Sequence, residues 1–353
     1  MNYETIHEVE LELNTICQSF CPVCIRYVVG AGKNNDDVLY KNPGIEFNQV
    51  VDFEYIEKLF SSPLINNRFL YINMIGTAGE PVAHPRFIEI VNKIIELHPH
   101  AIFNIHTNGG LRNEQFFRDL AKALNKCEEY RVCFSLDGID QETNGIYRIG
   151  VDWDKAIRNM KAFIDAGGYA TWQFIIFDHN KHLEETAKQM AQDMGCREFE
   201  SRENVAPDGI EVGFTAAKNR IDMKTPARIR LKPKGWRPPL PDYDHIDDQC
   251  FSKKGVFLAP DGKIWPCCMM PSIKSDRSMI NIWNEAMLDG KYGEDWNSLK
   301  YNSFDEIMKH PWWEQLRRWV SMEEKPCDLC IKECGATSSH RRNSDINEIK
   351  TQF

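Results

Sequence analysis

Short apolar runs alternate with amphipathic stretches over the first 200 residues of the chain. Residues 9–13 alternate apolar and charged side chains, the pattern of a half-buried strand, and apolar residues at helical spacing begin near residue 53. The pattern predicts six strands, at residues 9–13, 69–75, 101–106, 130–136, 171–177 and 196–200. It predicts five intervening helices, near residues 53–60, 87–95, 113–124, 153–166 and 183–194.

The regular succession of strands and helices predicts the fold class. Strands that alternate with helices at a spacing of about 30 residues form parallel sheets with right-handed crossovers. The sequence therefore predicts an α/β fold, a partial (β/α)6 TIM-like barrel. In such barrels the chemistry gathers at the strand ends, where this chain has Gly79, Glu80, Pro81, Asn108, Ser135, Asp137 and Asn180. Each alone is typical of a plain turn, but their joint placement predicts one functional rim.

Three cysteines follow the first predicted strand directly: Cys17, Cys21 and Cys24. Three thiolates at this spacing can hold three irons of a cubane 4Fe-4S cluster and leave the fourth iron without a protein ligand. A tetrahedral zinc site is the alternative, but it ordinarily needs a fourth Cys or His nearby, and the nearest downstream histidine is His84. The loop therefore favours a cluster with one open iron.

Composition limits the class of protein to which this loop belongs. The 353 residues are 42% hydrophobic and 27% charged, as in a globular protein of one large or two medium domains. The net charge of -9 argues against a nucleic-acid partner, and we interpret the basic residues in 218–234 as a solvated loop. No apolar run is long enough to span a bilayer, and the acidic first 12 residues do not form a signal peptide. We therefore expect a cytoplasmic protein without a membrane partner, in which the 12 cysteines favour metal over disulfides.

The C-terminal third has a different pattern. Residues 201–248 show no persistent period and are rich in proline and charge. Residues 256–258 and 263–265 flank a tight turn and predict a β-hairpin, and residues 303–320 predict a helix with buried tryptophans. We therefore divide the chain into a barrel, a linker or substrate-proximal excursion, a small hairpin-plus-helix domain and a tail, over residues 1–205, 206–248, 249–335 and 336–353.

Six further cysteines lie in this C-terminal region: Cys250, Cys267, Cys268, Cys327, Cys330 and Cys334. A cysteine far upstream, a cysteine that closes the hairpin and a CxxC pair can together offer four thiolates to one iron-sulfur cluster or to one zinc ion. The residues alone leave the choice of metal open.

The cysteine loop and the strand-end motifs resemble those of the radical S-adenosylmethionine enzymes, over about residues 9–200. The resemblance implies that Cys17, Cys21 and Cys24 hold a 4Fe-4S cluster, while the methionyl amino and carboxylate groups of S-adenosylmethionine chelate the open iron. Reductive cleavage would yield a 5′-deoxyadenosyl radical, with electrons from a flavodoxin- or ferredoxin-like donor.

The same resemblance implies that S-adenosylmethionine is bound at the rim by Val23, Gly79, Glu80, Pro81, Asn108, Ser135, Asp137, Arg148 and Asn180. The segment ending in Glu80-Pro81 is similar to the family's GGEP element, whose Glu meets the methionyl amine, although Ala78 stands in place of its first Gly. Arg148 resembles a carboxylate-binding arginine, a role that its planar fork suits. Val23 stands where the family often has an aromatic residue against the adenine.

The C-terminal cysteines resemble the auxiliary-cluster domain called SPASM, or twitch in its shorter form. The full form has seven cysteines and two extra clusters, whereas this region has six cysteines. The resemblance therefore implies one auxiliary 4Fe-4S cluster, on Cys250, Cys267, Cys327 and Cys330, with Cys334 as the alternative ligand. Cys334 or Cys268 would be the thiol that returns a hydrogen atom in an epimerisation.

These resemblances imply an oxidoreductase-like enzyme that abstracts a hydrogen atom from a peptide or protein residue. The alternative is a dehydrogenase or epimerase of small molecules such as sugars, cyclitols or nucleotides. A hypothesis of another class is a non-catalytic iron-sulfur or zinc-binding module. The first predicted strand begins near residue 9, which leaves no room for a leader-peptide-binding domain and weakens the interpretation as a ribosomal-peptide maturase.

Overall fold

A computed structural model describes residues 5–31, 37–203, 221–222, 240–247, 252–271 and 280–336 of the chain. Its strands are β1 (Glu8–Leu11), β2 (Tyr27–Ala31), β3 (Asp37–Lys41), β4 (Leu70–Met74), β5 (Ala101–Thr107), β6 (Tyr130–Ser135), β7 (Ala170–Ile176), β8 (Glu198–Glu203), β9 (Ile221–Asp222), β10 (His245–Ile246), β11 (Gly255–Leu258), β12 (Ile264–Trp265) and β13 (Gly335–Ala336). Its α-helices are α1 (Phe53–Phe60), α2 (Phe87–Leu97), α3 (Glu114–Leu124), α4 (Gln141–Asn144), α5 (Trp153–Asp165), α6 (Glu184–Met194), α7 (Ile280–Ala286), α8 (Phe304–Met308), α9 (Pro311–Val320) and α10 (Asp328–Cys334). Among these helices, none is both long and apolar enough to cross a bilayer.

The six strands predicted from the sequence lie side by side in one parallel sheet, in the order β1-β4-β5-β6-β7-β8. Each of these six strands pairs in parallel with the next of the six. A helix lies in each connection between them, as expected for right-handed crossovers. The prediction of an α/β partial TIM-like barrel is therefore confirmed. Because the strands are parallel, their C-terminal ends and the loops that follow meet at one rim.

Helix α3 forms where the sequence supplies both an apolar face and an N-cap. In α3, the Asn113 side chain accepts a hydrogen bond from the Phe116 N–H, while Phe117 and Leu120 are fully buried. Phe117 packs against Phe134 of β6, with ring centroids 5.6 Å apart. Burying side chains of this size contributes about 1.5–3 kcal/mol each, so this helix is fixed against the sheet and the rim loops are carried on a rigid frame.

The predicted C-terminal hairpin is confirmed, but it joins the barrel sheet. Strands β11 and β12 are antiparallel, with Phe257 opposite Trp265. Strand β11 also pairs in parallel with β1, with Val9 opposite Val256, and so extends the sheet beyond its first strand. The sequence predicted the hairpin from its turn and did not predict this pairing.

Two other segments differ from the prediction. Residues 303–320 form two helices, α8 and α9, because His310 adopts an extended backbone conformation before Pro311. Proline has no N–H and is well suited to open a helix; Trp312 behind it is fully buried, as expected. Strands β2 and β3 form an antiparallel hairpin that the sequence did not predict, and β3 also pairs in parallel with β9.

Candidate active site

The cysteine loop follows β1 and rests on the loop after α4. The Phe20 N–H donates to the Ile149 carbonyl oxygen over 2.8 Å. Gly150 has a φ of +87°, and a Cβ there would lie 2.8 Å from the Gln18 carbonyl oxygen. This position therefore requires glycine for two reasons, and it brings the cysteine loop against the segment that carries Arg148.

The sulfur atoms of the loop are surrounded by donors and apolar rings. The Ser19 N–H lies 3.4 Å from Cys17 Sγ, and the Ser19 hydroxyl lies 2.9 Å from Cys21 Sγ. Cys21 and Cys24 pack beside Tyr147 and Phe177. Burial raises the pKa of the Cys17 thiol to about 12, and the negative charge of Glu80 raises it further. The thiolate form, which is the form that binds a metal, is therefore stable here only with a positively charged partner.

Glu80 lies at the end of the loop after β4 and is buried. The Asn108 N–H donates to its Oε2 over 2.9 Å, while its Oε1 is buried and has no hydrogen-bond partner among the described residues. The Asn108 side chain also donates toward Cys17 Sγ over 3.6 Å and accepts from Gln18. Burial raises the pKa of Glu80 to about 7, against the hydrogen bond from Asn108. A buried carboxyl oxygen without a donor fits a ligand that brings one, such as an ammonium group.

The turn before Glu80 is locked to the end of β1. The Asn14 side-chain amide donates to the Glu80 carbonyl oxygen over 3.0 Å, and the Glu80 N–H donates to the Ile16 carbonyl oxygen over 2.7 Å. Gly79 lies so close to this segment that a Cβ would come within 2.0 Å of the Asn14 carbonyl oxygen. This close approach fixes the position of Glu80 relative to the segment that leads into the cysteine loop.

We expect Gly79→Ala to destabilise the protein. The added methyl group meets backbone atoms of Asn14, which belong to the segment that leaves the sheet, and overpacking of this kind costs about 1–3 kcal/mol. The temperature of thermal unfolding should fall by roughly 1–4 °C, as about 1–3 kcal/mol implies for a protein of this size. Gly255→Ala is the control, because its Cβ would meet Glu8 at 3.5 Å, an ordinary contact. Equal melting temperatures for the two variants would contradict this account of the turn.

Asp137 and Arg148 form a buried ion pair at the end of β6. Arg148 Nε donates to Asp137 Oδ2 over 2.5 Å, and the Ile175 N–H donates to Oδ1 over 2.7 Å. Burial alone would lower the pKa of Arg148, but the charge of Asp137 raises it above its ordinary value. The Nη groups of Arg148 have no hydrogen-bond partner within the described part of the chain, and they are free to bind a carboxylate.

The remaining predicted residues occupy different positions on the rim. Ser135 donates to the Gln173 side chain over 3.4 Å. Asn180 is fully buried, and its side-chain amide donates to the carbonyl oxygens of Asp137 and Ile175. Asn180 therefore holds two strand ends together, and its contact with S-adenosylmethionine stays a prediction. Val23 is 42% exposed in the cysteine loop, where an apolar side chain is available to cover a base.

Sequence reasoning missed a row of polar side chains that crosses the sheet. Asn73 donates to Glu8 over 2.8 Å, Asn104 donates to Asn73 over 3.0 Å, and Arg131 Nε donates to Asn104 over 2.9 Å. These residues come from β1, β4, β5 and β6 in turn, and Asn73, Asn104 and Arg131 are directly opposite one another in register. In the sequence, each of these residues is a single polar position within or beside an apolar strand. The row can be recognised only when the pairing register of the strands is known.

A cavity of about 320 Å³ lies beside the cysteine loop and the Glu80 turn. Its walls include Ile25, Thr77, Ala78 and Asp261, together with Glu12 at the end of β1. Both carboxyl oxygens of Glu12 accept backbone N–H bonds, from Thr77 over 2.6 Å and from Ala78 over 3.1 Å. Burial raises the pKa of Glu12 to about 8 despite these bonds. Most of the remaining lining comes from residues 43–49 and from the β11–β12 hairpin, so the cavity reaches the residue after Cys24 and the start of the Glu80 turn but is not lined by the cysteines or by Glu80.

The C-terminal cysteines are only partly described. Cys250 lies outside the described residues, so the structure does not bear on it. Cys327 Sγ and Cys330 Sγ are 3.5 Å apart at the start of α10, where Cys327 is buried. Cys267 and Cys268 follow β12 and are half-buried. Burial raises the pKa of the Cys268 thiol to about 12, and the charge of Glu10 contributes to this increase.

The donor set of the cysteine loop fits a cubane cluster. A cubane takes one thiolate per iron. The loop offers three thiols, and the nearby Glu80 oxygen has no partner, which is the arrangement expected for a cluster whose fourth iron takes a ligand with an amino group.

The fold is a partial α/β barrel with three cysteines in the loop after its first strand. The sequence profile of the Radical SAM superfamily matches residues 11–190, slightly more than half of the chain. The chain therefore belongs to the Radical SAM superfamily, which implies a 4Fe-4S cluster and S-adenosylmethionine as cofactors. No curated protein matches the chain significantly.

Crystal structures of SuiB from Streptococcus suis have a similar fold. The structure with bound S-adenosylmethionine has a TM-score of 0.52 and 14% sequence identity, and the match covers 93% of this chain and 72% of SuiB. The structure with the precursor peptide SuiA has a TM-score of 0.50 and 14% identity, and the match covers 93% of this chain and 76% of SuiB. At this identity the likeness establishes the fold.

Proposed function

We propose that this enzyme abstracts a hydrogen atom from a peptide or protein residue. When bound, the cluster and S-adenosylmethionine supply a 5′-deoxyadenosyl radical by reductive cleavage of the sulfonium. The observation that carries the proposal is that Oε1 of Glu80 is buried without a hydrogen-bond partner among the described residues. Asn108 links Glu80 to the cysteine loop, because its N–H donates to Glu80 and its side chain donates toward Cys17 Sγ. SuiB, which shares the fold, has been crystallised with a precursor peptide, and that supports a peptide substrate here.

The protein's own residues bind and orient the cofactors in this proposal. Cys17, Cys21 and Cys24 hold three irons, and the Ser19 N–H and hydroxyl stabilise two of the sulfurs. Glu80 accepts a hydrogen bond from the methionyl ammonium, since a buried carboxyl oxygen gains most from a charged donor. Arg148 binds the methionyl carboxylate through its Nη groups while Asp137 holds its Nε. Gly79 lets the Glu80 turn approach closely enough for these contacts.

The cavity beside the rim is the space that we propose for the substrate. It is walled by Ile25 next to the third cysteine and by Thr77 and Ala78 next to the Glu80 turn. A reacting C–H group bound there would have to lie next to the 5′-carbon of the adenosyl group, which takes the hydrogen atom. The walls of the cavity would limit the access of water to the radical. The hairpin after β11 forms the far wall through Pro260 and Asp261.

A second candidate function is oxidation or epimerisation of a small polar molecule. The row of amide and guanidinium groups through Asn73, Asn104 and Arg131 favours it, because such groups bind hydroxyl or carboxylate substituents. The distinction can be made with labelled substrates. A peptide digest of a fully deuterated protein should give singly deuterated 5′-deoxyadenosine with the reconstituted enzyme. Deuterium transfer only from a deuterated small-molecule extract would replace the first proposal with the second.

The remaining part of the proposal is one auxiliary 4Fe-4S cluster, which would be held by Cys250, Cys267, Cys327 and Cys330. The closeness of the Cys327 and Cys330 sulfurs at one helix start supports it. We expect Cys330→Ala to retain part of the cleavage of S-adenosylmethionine and to lose deuterium transfer, because the cysteine loop is left intact. Iron and sulfide content should fall from about eight to about four of each per chain, as expected for two cubanes reduced to one. Complete loss of cleavage in a folded variant would contradict this division of roles.

A further inference from the structure

A buried arginine lies immediately behind the cysteine loop. Arg26 follows Cys24 by two residues and is only 4% exposed. Its Nη1 donates to the carbonyl oxygen of Cys17 over 3.1 Å and lies 3.5 Å from that of Ser19. The guanidinium group is therefore fixed to the backbone that presents the first cysteine.

The surroundings of this guanidinium supply no counter-charge. Its Cζ lies 5.3 Å from the ring centroid of Tyr27 and 5.0 Å from that of Phe47. Its Nε is buried without a hydrogen-bond partner, and no carboxylate of the described residues forms an ion pair with it. Tyr27 is itself anchored through its hydroxyl, which donates to the Ser19 carbonyl oxygen over 3.0 Å.

A buried charge of this kind needs an anionic partner. Removing an unpaired guanidinium from water is unfavourable, and the cation–π contacts with two aromatic rings offset only part of that cost. The loop beside it carries Cys17, Cys21 and Cys24. Three thiolates on a 4Fe-4S cluster give the site a net negative charge, which grows by one on reduction, and such clusters are tuned by local charge and hydrogen bonding.

We propose that Arg26 is the buried counter-ion of the cluster and raises its reduction potential. A fixed positive charge stabilises the reduced, more negative cluster more than the oxidised one. The aromatic rings of Tyr27 and Phe47 keep water away and so preserve the strength of this interaction. The inference rests on the cluster assignment of the proposed function and adds to it the residue that makes reduction easier.

The test is a potentiometric titration of the reconstituted full-length protein, followed by electron paramagnetic resonance. The signal of this cluster is the one that changes when S-adenosylmethionine is added. In Arg26→Gln, the ratio of reduced to oxidised cluster at the wild-type midpoint should fall about tenfold, a shift of about 59 mV for one electron. Arg26→Lys keeps the charge and should stay within about threefold of wild type. A purely structural role would not produce this ordering.

The matched control for Arg26→Gln is Arg112→Gln. Arg112 also donates to backbone carbonyl oxygens, those of Val82 and His84, and stacks on Phe116, so Arg112→Gln should leave the midpoint unchanged. An unchanged midpoint in a fully loaded Arg26→Gln variant would overturn the inference. If that variant takes up too little iron, Arg26→Lys decides, and a tenfold fall in its ratio would also overturn it. Wild-type protein that takes up no cluster would refute the proposed function instead.

Discussion

Cys17→Ala should reduce formation of 5′-deoxyadenosine to the level of the apoprotein. The variant loses one of three thiolates, and the loop offers no substitute, since Ser19 and Asn108 supply only hydrogen bonds to the sulfurs. A cubane held by two protein ligands would lose iron during reconstitution and purification. The measurement is chromatographic and mass-spectrometric detection of 5′-deoxyadenosine after anaerobic reduction, with iron content determined on the same sample.

Cys196→Ala is the control for this experiment. Cys196 lies after α6, where its Sγ is 3.9 Å from the Met160 sulfur, and it is half-buried beside the core. It should retain the wild-type rate of cleavage because its thiol packs as a small apolar group. Cleavage by Cys17→Ala at a rate comparable to that of Cys196→Ala would mean that this loop does not hold the reactive cluster.

Glu80→Gln should weaken the Kd for S-adenosylmethionine by about 10- to 100-fold. The glutamine keeps an oxygen for the Asn108 N–H but removes the negative charge and places an amide where Oε1 has no partner. A hydrogen bond between a charged donor and a carboxylate contributes about 1.5–3 kcal/mol. Equilibrium dialysis of labelled S-adenosylmethionine against the reconstituted protein measures the change directly.

The matched variant for Glu80 is Glu89→Gln. Glu89 is an exposed carboxylate on α2 whose partner is Arg86, and a surface pair of this kind contributes little to stability. Its removal should leave the Kd unchanged. If Glu80→Gln binds S-adenosylmethionine as tightly as Glu89→Gln does, the carboxylate is not the partner of the methionyl ammonium.

Much of the barrel could be predicted from the chain because its strands have a strong local pattern. Apolar residues in β4, β5 and β6 are bounded by turn residues, and the intervening helices have clear apolar faces. The rim could be predicted for the same reason, since Glu80, Asn108 and Asp137 each follow a strand end. Their approach to one another is confirmed for Glu80 and Asn108 by a direct hydrogen bond.

The other features could not be predicted because they depend on contacts between residues that are far apart in the sequence. The pairing of β11 with β1 joins residues about 245 positions apart, and no pattern in either strand indicates the other. The row from Glu8 through Asn73 and Asn104 needs the register of three strands. Nothing in the local sequence distinguishes Arg26, and only its burial between Tyr27 and Phe47 shows that its charge lies inside the protein.

The break at Pro311 was missed for a different reason. The apolar spacing from Ile307 to Trp319 continues across the proline, so the pattern alone predicts one helix. The backbone constraint on His310 decides the matter, because a residue before proline avoids the helical region. Local sterics therefore outweighed the hydrophobic period at this position.

Reductive cleavage of S-adenosylmethionine by the wild-type protein is the decisive measurement. After anaerobic reconstitution with iron and sulfide and reduction with dithionite, 5′-deoxyadenosine and methionine should form in equal amounts. The yield should depend on iron loading and should be lost in Cys17→Ala. A protein with a fully loaded cluster in the Cys17 loop that forms no 5′-deoxyadenosine would contradict the central claim.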